Sequence, residues 1–191
     1  MSAVRVAGLI ALVLIAVAAG TLVYRHAARS GDEAPDFALV DQAGRPFVLS
    51  QQRGKAVVLF FGYTHCTDVC TITLAHVAAA IRSLGSSGRD VEPLFVTVDP
   101  KRDDPAALGK YVSSFGPNFI GLTGTSAELD RTYAGYHVFA RAVPPAKNER
   151  GYTVDHGSAL YYISRDGALA AFGDAGDDTD AIARHLSALV S

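Results

Sequence analysis

Hydrophobic and polar positions switch between two periods along the chain, and the switches lay out its elements. Residues 6–24 carry no charge and are bracketed by Arg5 and Arg25, close to the roughly 20 residues a helix needs to cross a bilayer. From Pro35 the sequence PDFALV alternates apolar and polar, DQAG at 41–44 marks a turn, and PFVL resumes from Pro46. That pattern predicts a β-hairpin. AVVLFF at 56–61 is apolar throughout and predicts a buried strand. Beyond it Val69, Ile72, Leu74 and Val77 recur at helical spacing, to about Leu84, and GSSG at 85–88 ends the run. VEPLFVTV at 91–98 is a second buried strand, and DDP at 103–105 opens a helix over 106–115. Residues 116–125 read as a loop with a short apolar piece at 119–122, and Ser126 starts a helix to about Ala134. A strand is predicted at 136–140, then a polar, proline-bearing surface loop from Val143 to Gly151. DHG at 155–157 reads as a tight loop before a strand at 159–164, and the RDG turn joins that strand to 168–172. A last helix follows DDTD at 177–180, with Ile182, Leu186 and Leu189 on one face.

Two βα steps followed by an antiparallel pair predict an α/β fold of the thioredoxin-like type: a central mixed sheet flanked by helices, with an N-terminal β-hairpin. The first segment divides off. Residues 1–25 read as an N-terminal transmembrane anchor or uncleaved signal, 26–34 as a linker and 35–191 as the domain. AVA at 16–18 offers a cleavage site, but the apolar stretch is long for a signal core, and Tyr24 with Arg25 suits a membrane interface. Such a leader places the domain outside the cytoplasm, on the periplasmic or extracytoplasmic side of the inner membrane.

Composition narrows the partners. The chain has 191 residues, 49% of them apolar, and a net charge of −2. Three of its 17 basic residues precede Asp32 and none of its 19 acidic ones does, which leaves the rest with 14 basic residues and a balance of −5. Without a basic run, nucleic acid is excluded as a partner. Two cysteines cannot build a disulfide scaffold.

Those two, Cys66 and Cys70, stand where the first buried strand gives way to a helix. Spaced i and i+4, they can grip one metal ion or close a disulfide, and a helix start favours thiolate. A bridge over so few residues would be a poor staple, because it removes little chain entropy. Metal binding and redox exchange both stay open. Two thiolates and an imidazole would suit Cu(I), Zn or Cu(II). Among the histidines, His76 and His185 fall mid-helix as packing or surface residues, and His137 begins a strand without another ligand type beside it. His65 adjoins Cys66. His156 is the best third ligand, because in a thioredoxin-like sheet the loop entering its strand packs against the start of the cysteine helix.

The motifs PDFAL from Pro35, GK from Gly54, FGYTHCTDVC from Phe61, FVTVDPKRD from Phe95, GLTG from Gly121 and VDH from Val154 together resemble the SCO/SenC copper-chaperone family over nearly the whole chain from Ala34. The resemblance implies a thioredoxin-like domain tethered by one transmembrane helix, with copper, Cu(I) or Cu(II), held by Cys66, Cys70 and His156. It implies assembly of the dinuclear copper centre of a cytochrome c oxidase subunit, by copper delivery, by reduction of the subunit's cysteines, or both. A metallochaperone is the first reading and a thiol–disulfide reductase the rival. Other copper chaperones or thiol reductants are further possible partners. Asp99, and His65 beside the pair, are candidates to support the site; Asp99 reads equally well as a turn residue before Pro100. Two positions depart from the family pattern. Thr71 replaces its proline and loses the φ restriction, and Gly157 replaces its serine and loosens the histidine segment.

Overall fold

The computed structural model describes residues 32–66, 68–145 and 151–191. The anchor expected at residues 6–24 and most of the linker lie outside them. Among the described residues no helix is long and apolar enough to cross a membrane.

The predicted hairpin forms as β1 (Ala38–Asp41) and β2 (Pro46–Val48), paired antiparallel. Asp41 shapes its turn: one carboxylate oxygen accepts from the amides of Ala43 at 2.8 Å and Arg45 at 2.9 Å, while Gly44 takes φ +76°. All seven residues of β3 (Ala56–Gly62) are buried, as an uninterrupted apolar run requires. The cysteine helix α1 (Val69–Ser83) follows, with a 3₁₀ turn at Gly85–Asp90 and then β4 (Val91–Thr97). Helix α2 (Pro105–Ser113) has proline in its first turn, and its N-cap Asp104 accepts from the Ala107 amide at 2.8 Å.

Three expectations need correction in the next stretch. The apolar piece at 119–122 is a strand, β5 (Ile120–Thr123), sitting between β1 and β4. Its length gives no readable period, and its Gly121 looks like loop punctuation. A Cβ there would come within 3.0 Å of Leu108 and 3.2 Å of Val112, so the glycine lets α2 pack close. Next, helix α3 (Ser126–Gly135) starts with a capping box between Thr125 and Glu128. The strand expected at 136–140 does not start at Tyr136: that residue caps α3, and His137 turns the chain at φ +53°. The strand comes later, as β6 (Ala140–Val143). It pairs with β7 (Thr153–His156), so His156 ends a strand instead of sitting in a tight loop. The chain closes with β8 (Ala159–Ile163), β9 (Leu169–Asp174) and α4 (Thr179–Val190), capped by Asp178.

The main sheet has seven strands in the order β2-β1-β5-β4-β3-β8-β9. β3, β4 and β5 run parallel, with β8 antiparallel to β3 and β1 antiparallel to β5. This is the mixed, helix-flanked sheet that the order of elements predicts. Alternation along β3 divides the core. Val57, Leu59 and Phe61 face one cluster with Leu129 of α3 and Val154 of β7. Val58 and Phe60 face the other, with Leu74 of α1, Leu108 of α2 and Ile182 of α4. β6 and β7 form a separate two-stranded ribbon. Glu33–Ser191 form one compact unit.

Candidate metal centre

β3 ends at Gly62, and the glycine is needed there. A Cβ would stand 2.7 Å from Phe95 and 3.0 Å from the Cys70 sulfur, closer than packed atoms tolerate. The turn that follows is pinned from beneath by Asp103, whose side chain is fully buried. Its carboxylate accepts from the Thr64 amide at 3.0 Å, the Thr64 hydroxyl at 2.6 Å and the Thr97 hydroxyl at 2.7 Å. The DDP motif reads as a helix start, yet only Asp104 caps the helix; Asp103 points inward and fixes the cysteine turn.

On that turn Cys66 is half-buried, and Cys70, in the first turn of α1, is fully buried. The two thiols are unbridged. The Cys70 amide donates to the Cys66 sulfur at 3.4 Å, and the Asp68 amide points at it as well. A hydrogen bond from the Cys70 thiol is the main cause that brings the Cys66 thiol down to about 5, against the opposing cost of burial. The same bond, reinforced by burial, drives the Cys70 thiol upward. The two contacts thus bias the pair toward carrying its negative charge on Cys66 and its proton on Cys70. Thr71 answers for the missing proline by another route: its hydroxyl donates to the Cys66 carbonyl at 3.2 Å and stitches the turn to the helix.

His156, at the end of β7, brings its Nε2 to 3.8 Å from the Cys70 sulfur. Its Nδ1 lies 2.8 Å from the Gly157 carbonyl. A carbonyl can only accept, so Nδ1 carries a proton, and in the neutral ring this leaves Nε2 as the lone-pair nitrogen that faces the thiols. The imidazole is held edge-on between Phe60, at 6.5 Å, and Tyr63, at 5.9 Å. Among the described residues no three His, Cys, Asp or Glu side chains form a closed ligand set. Two thiols and one imidazole facing them nonetheless supply a donor chemistry that fits Cu(I), Cu(II) or Zn.

The other expected residues fall elsewhere. His65 is exposed, with Nδ1 3.1 Å from the Thr64 hydroxyl and 4.0 Å from Asp103. Asp99 is buried; it accepts from the Tyr152 hydroxyl at 2.6 Å and pairs with Arg102. His76 bonds the Asp177 carbonyl at 3.0 Å, and His185 stacks on Tyr162 at 4.6 Å, both as packing residues. Sequence reasoning gave no part in the site to Tyr63, Arg102, Asp103 or Tyr152, reading Asp103 as part of a helix start. The first three lie inside quoted motifs, but nothing in one sequence says that their side chains meet at this site.

Comparison with known proteins gives a consistent picture. A family model described as SCO1/SenC matches residues 25–191. Protein SCO2 homolog, mitochondrial, of Bos taurus is 37% identical over 162 residues, which are 82% of this chain and 60% of that protein. Protein SCO1, mitochondrial, of Saccharomyces cerevisiae is 34% identical over 159 residues, 81% of this chain and 54% of its own. The chain thus spans about 60% of the first of these curated relatives and little over half of the second. Among solved structures, Bradyrhizobium japonicum ScoI with copper bound superposes with a TM-score of 0.74 at 34% identity, over 82% of this chain and 99% of that one. Yeast Sco1 with copper bound gives 0.74 at 30% identity, over 83% of this chain and 88% of its own.

Proposed function

The chain belongs to the SCO1/SenC family, and on that premise we propose that it is a copper chaperone serving the assembly of the dinuclear copper centre of a cytochrome c oxidase subunit. Cys66, Cys70 and His156 take one copper ion as cargo. The observation that carries this reading is the approach of His156 Nε2, in its lone-pair tautomer, to an unbridged thiol pair; relatives solved with copper bound supply the metal. Cys66 enters as thiolate, Cys70 gives up its proton on loading, and the imidazole enters neutral. The Glu33–Ser191 unit works on the extracytoplasmic side of a membrane, tethered through residues 6–24. A mature N-terminus near Ala19, found by mass spectrometry, would refute the tether.

The test is copper titration of the reduced protein. One equivalent binds, and Cys66→Ala, Cys70→Ala or His156→Ala each weakens it, by on the order of a hundredfold or more for either cysteine. Tight binding retained after His156→Ala would sink the three-ligand set.

The acidic Cys66 thiol beside a protonated partner favours a second reading, thiol–disulfide exchange. The Cys66 thiolate attacks a target disulfide, and Cys70 then displaces the target to form the Cys66–Cys70 bond. Two electrons and the Cys70 proton pass to the target, which leaves as one thiol and one thiolate. This reaction needs both cysteines but not His156, so target reduction by His156→Ala separates the readings.

A further inference from the structure

A two-stranded ribbon is marginal by itself, so the pose of the β6–β7 ribbon on the main sheet has to come from elsewhere. β7 pairs with β6 along one edge. The carbonyl of Tyr152 and the amide of Val154 share the other edge, because C=O of one residue and N–H of the second one on point the same way along a strand. Side chains take the place of a neighbouring strand there. Arg102 Nη1 donates to the Tyr152 carbonyl at 2.9 Å, and the Val154 amide bonds the Tyr63 hydroxyl. The Arg102 guanidinium lies 3.7 Å above the Tyr152 ring and 5.6 Å from that of Tyr63. Asp99 braces the arrangement, taking Arg102 Nε on one oxygen and the Tyr152 hydroxyl on the other. Arg102 Nη2 is buried without a hydrogen-bond partner among the described residues. Leaving a guanidinium N–H buried and unsatisfied costs free energy, which the ion pair with buried Asp99 and the bond to the Tyr152 carbonyl offset.

We propose that Arg102, braced by Asp99, is the positioning residue for the His156 imidazole, acting through the outer edge of β7. The path is short. From the Tyr152 carbonyl that Arg102 holds, four extended residues lead to His156, and a slip of one residue would turn the imidazole to the opposite face. Tyr63 serves both ends, bonding β7 through its hydroxyl and packing edge-on against the imidazole through its ring. Asp99 therefore supports the site without approaching the thiols.

The inference rests on reading Cys66, Cys70 and His156 as copper ligands, and its test has one arm that does not. In the full chain, Cu(I) affinity is measured by competition with a chromogenic chelator for wild type, Arg102→Gln, His156→Ala and the double variant. Arg102→Gln should weaken binding about tenfold when His156 is present and leave it unchanged in the His156→Ala background. Equal weakening in both backgrounds would mean a general structural effect and overturn the proposal. The second arm is nitrogen NMR of the His156 side chain in metal-free protein. Wild type shows a single Nδ1–H tautomer with contacts to the Tyr63 ring; Arg102→Gln loses the single tautomer and the contacts. An unchanged imidazole spectrum would also overturn the proposal. Should Arg102→Gln fail to fold, Tyr63→Phe removes only the second edge bond and must shift both readouts in the same direction by less. If His156→Ala itself leaves Cu(I) affinity intact, the ligand reading fails, while the metal-free spectrum still decides what Arg102 does.

Discussion

The thiol side and the imidazole side of the site are built in opposite ways. Cys66 and Cys70 stand on the junction of β3 with its helix, Cys66 packed against both core clusters and Cys70 inside one of them, and their turn is pinned by a buried carboxylate. His156 rides on a ribbon outside the main sheet, and side chains hold that ribbon in place of a strand. The thiols are thus fixed by the same forces that fold the unit, whereas the imidazole rides on a ribbon that puts Val154 into the core and is otherwise placed by a few polar and aromatic contacts. Such a division lets one half of the site stay rigid while the other is adjustable, which suits the proposed role of taking up a metal and giving it away.

The division is broken most forcefully at Asp103. Asp103→Ala leaves the Thr64 amide and two hydroxyls without their acceptor, at a fully buried position beneath the cysteine turn. Unmade buried hydrogen bonds cost roughly 1 to 3 kcal/mol each, so unfolding in urea should show a loss on the order of 3 kcal/mol. By contrast, the Arg102→Gln change on the ribbon side should move copper affinity more than global stability. A loss below about 1 kcal/mol for Asp103→Ala would mean that the thiol side is not tied to the fold in this way.

A smaller effect sharpens the imidazole side. Gly157 has open space where a Cβ would stand, and its backbone is outside the left-handed region. Gly157→Ser, which restores the residue typical of the family pattern, should therefore fit without strain and raise stability by about 0.5 kcal/mol through a less flexible unfolded chain. Copper affinity should stay where it is, or tighten slightly. Weaker binding would show that the end of the ribbon uses glycine's freedom to bring His156 home.

The same division explains what could be read beforehand. The strand-to-helix junction and the spacing of Cys66 and Cys70 are local, so periodicity displays them directly. The partnership with His156, 86 positions on from Cys70, is a matter of topology and came into view only through the fold. The ribbon was illegible for physical reasons. β6 reads ARAV and is mostly exposed, so burial leaves no pattern in it, and the left-handed turn at His137 falls on a residue other than glycine. β5 was hidden by its four residues and its glycine. The Arg102–Asp99–Tyr152 contacts join positions 50 and 53 residues apart, and no local rule couples them.

The weakest perturbation asks whether sheet stability and site geometry are independent. Glu92 lies on β4 opposite Val57, five residues before Gly62 on the paired strand, away from the site. Burial raises its pKa above the usual 4.5, against a smaller opposing pull from Lys55, and its Oε2 has no hydrogen-bond partner among the described residues. A carboxyl with a raised folded-state pKa contributes its stability while protonated and loses it as pH climbs through that pKa. At pH 7 the charged form is therefore a liability to the folded state. Glu92→Gln should stabilise the protein at pH 7 by less than about 1 kcal/mol, and the gain should fade as pH drops to 4.5 and below, where the wild-type side chain is itself neutral. Paired urea unfolding curves at the two pH values measure this, and a gain equal at both would refute the burial argument. Copper affinity at pH 7 should not move with the substitution. If it did, the thiol side would be sensing the tension of the whole sheet, and the site's rigid half would be less insulated than the buried Asp103 carboxylate beneath it indicates.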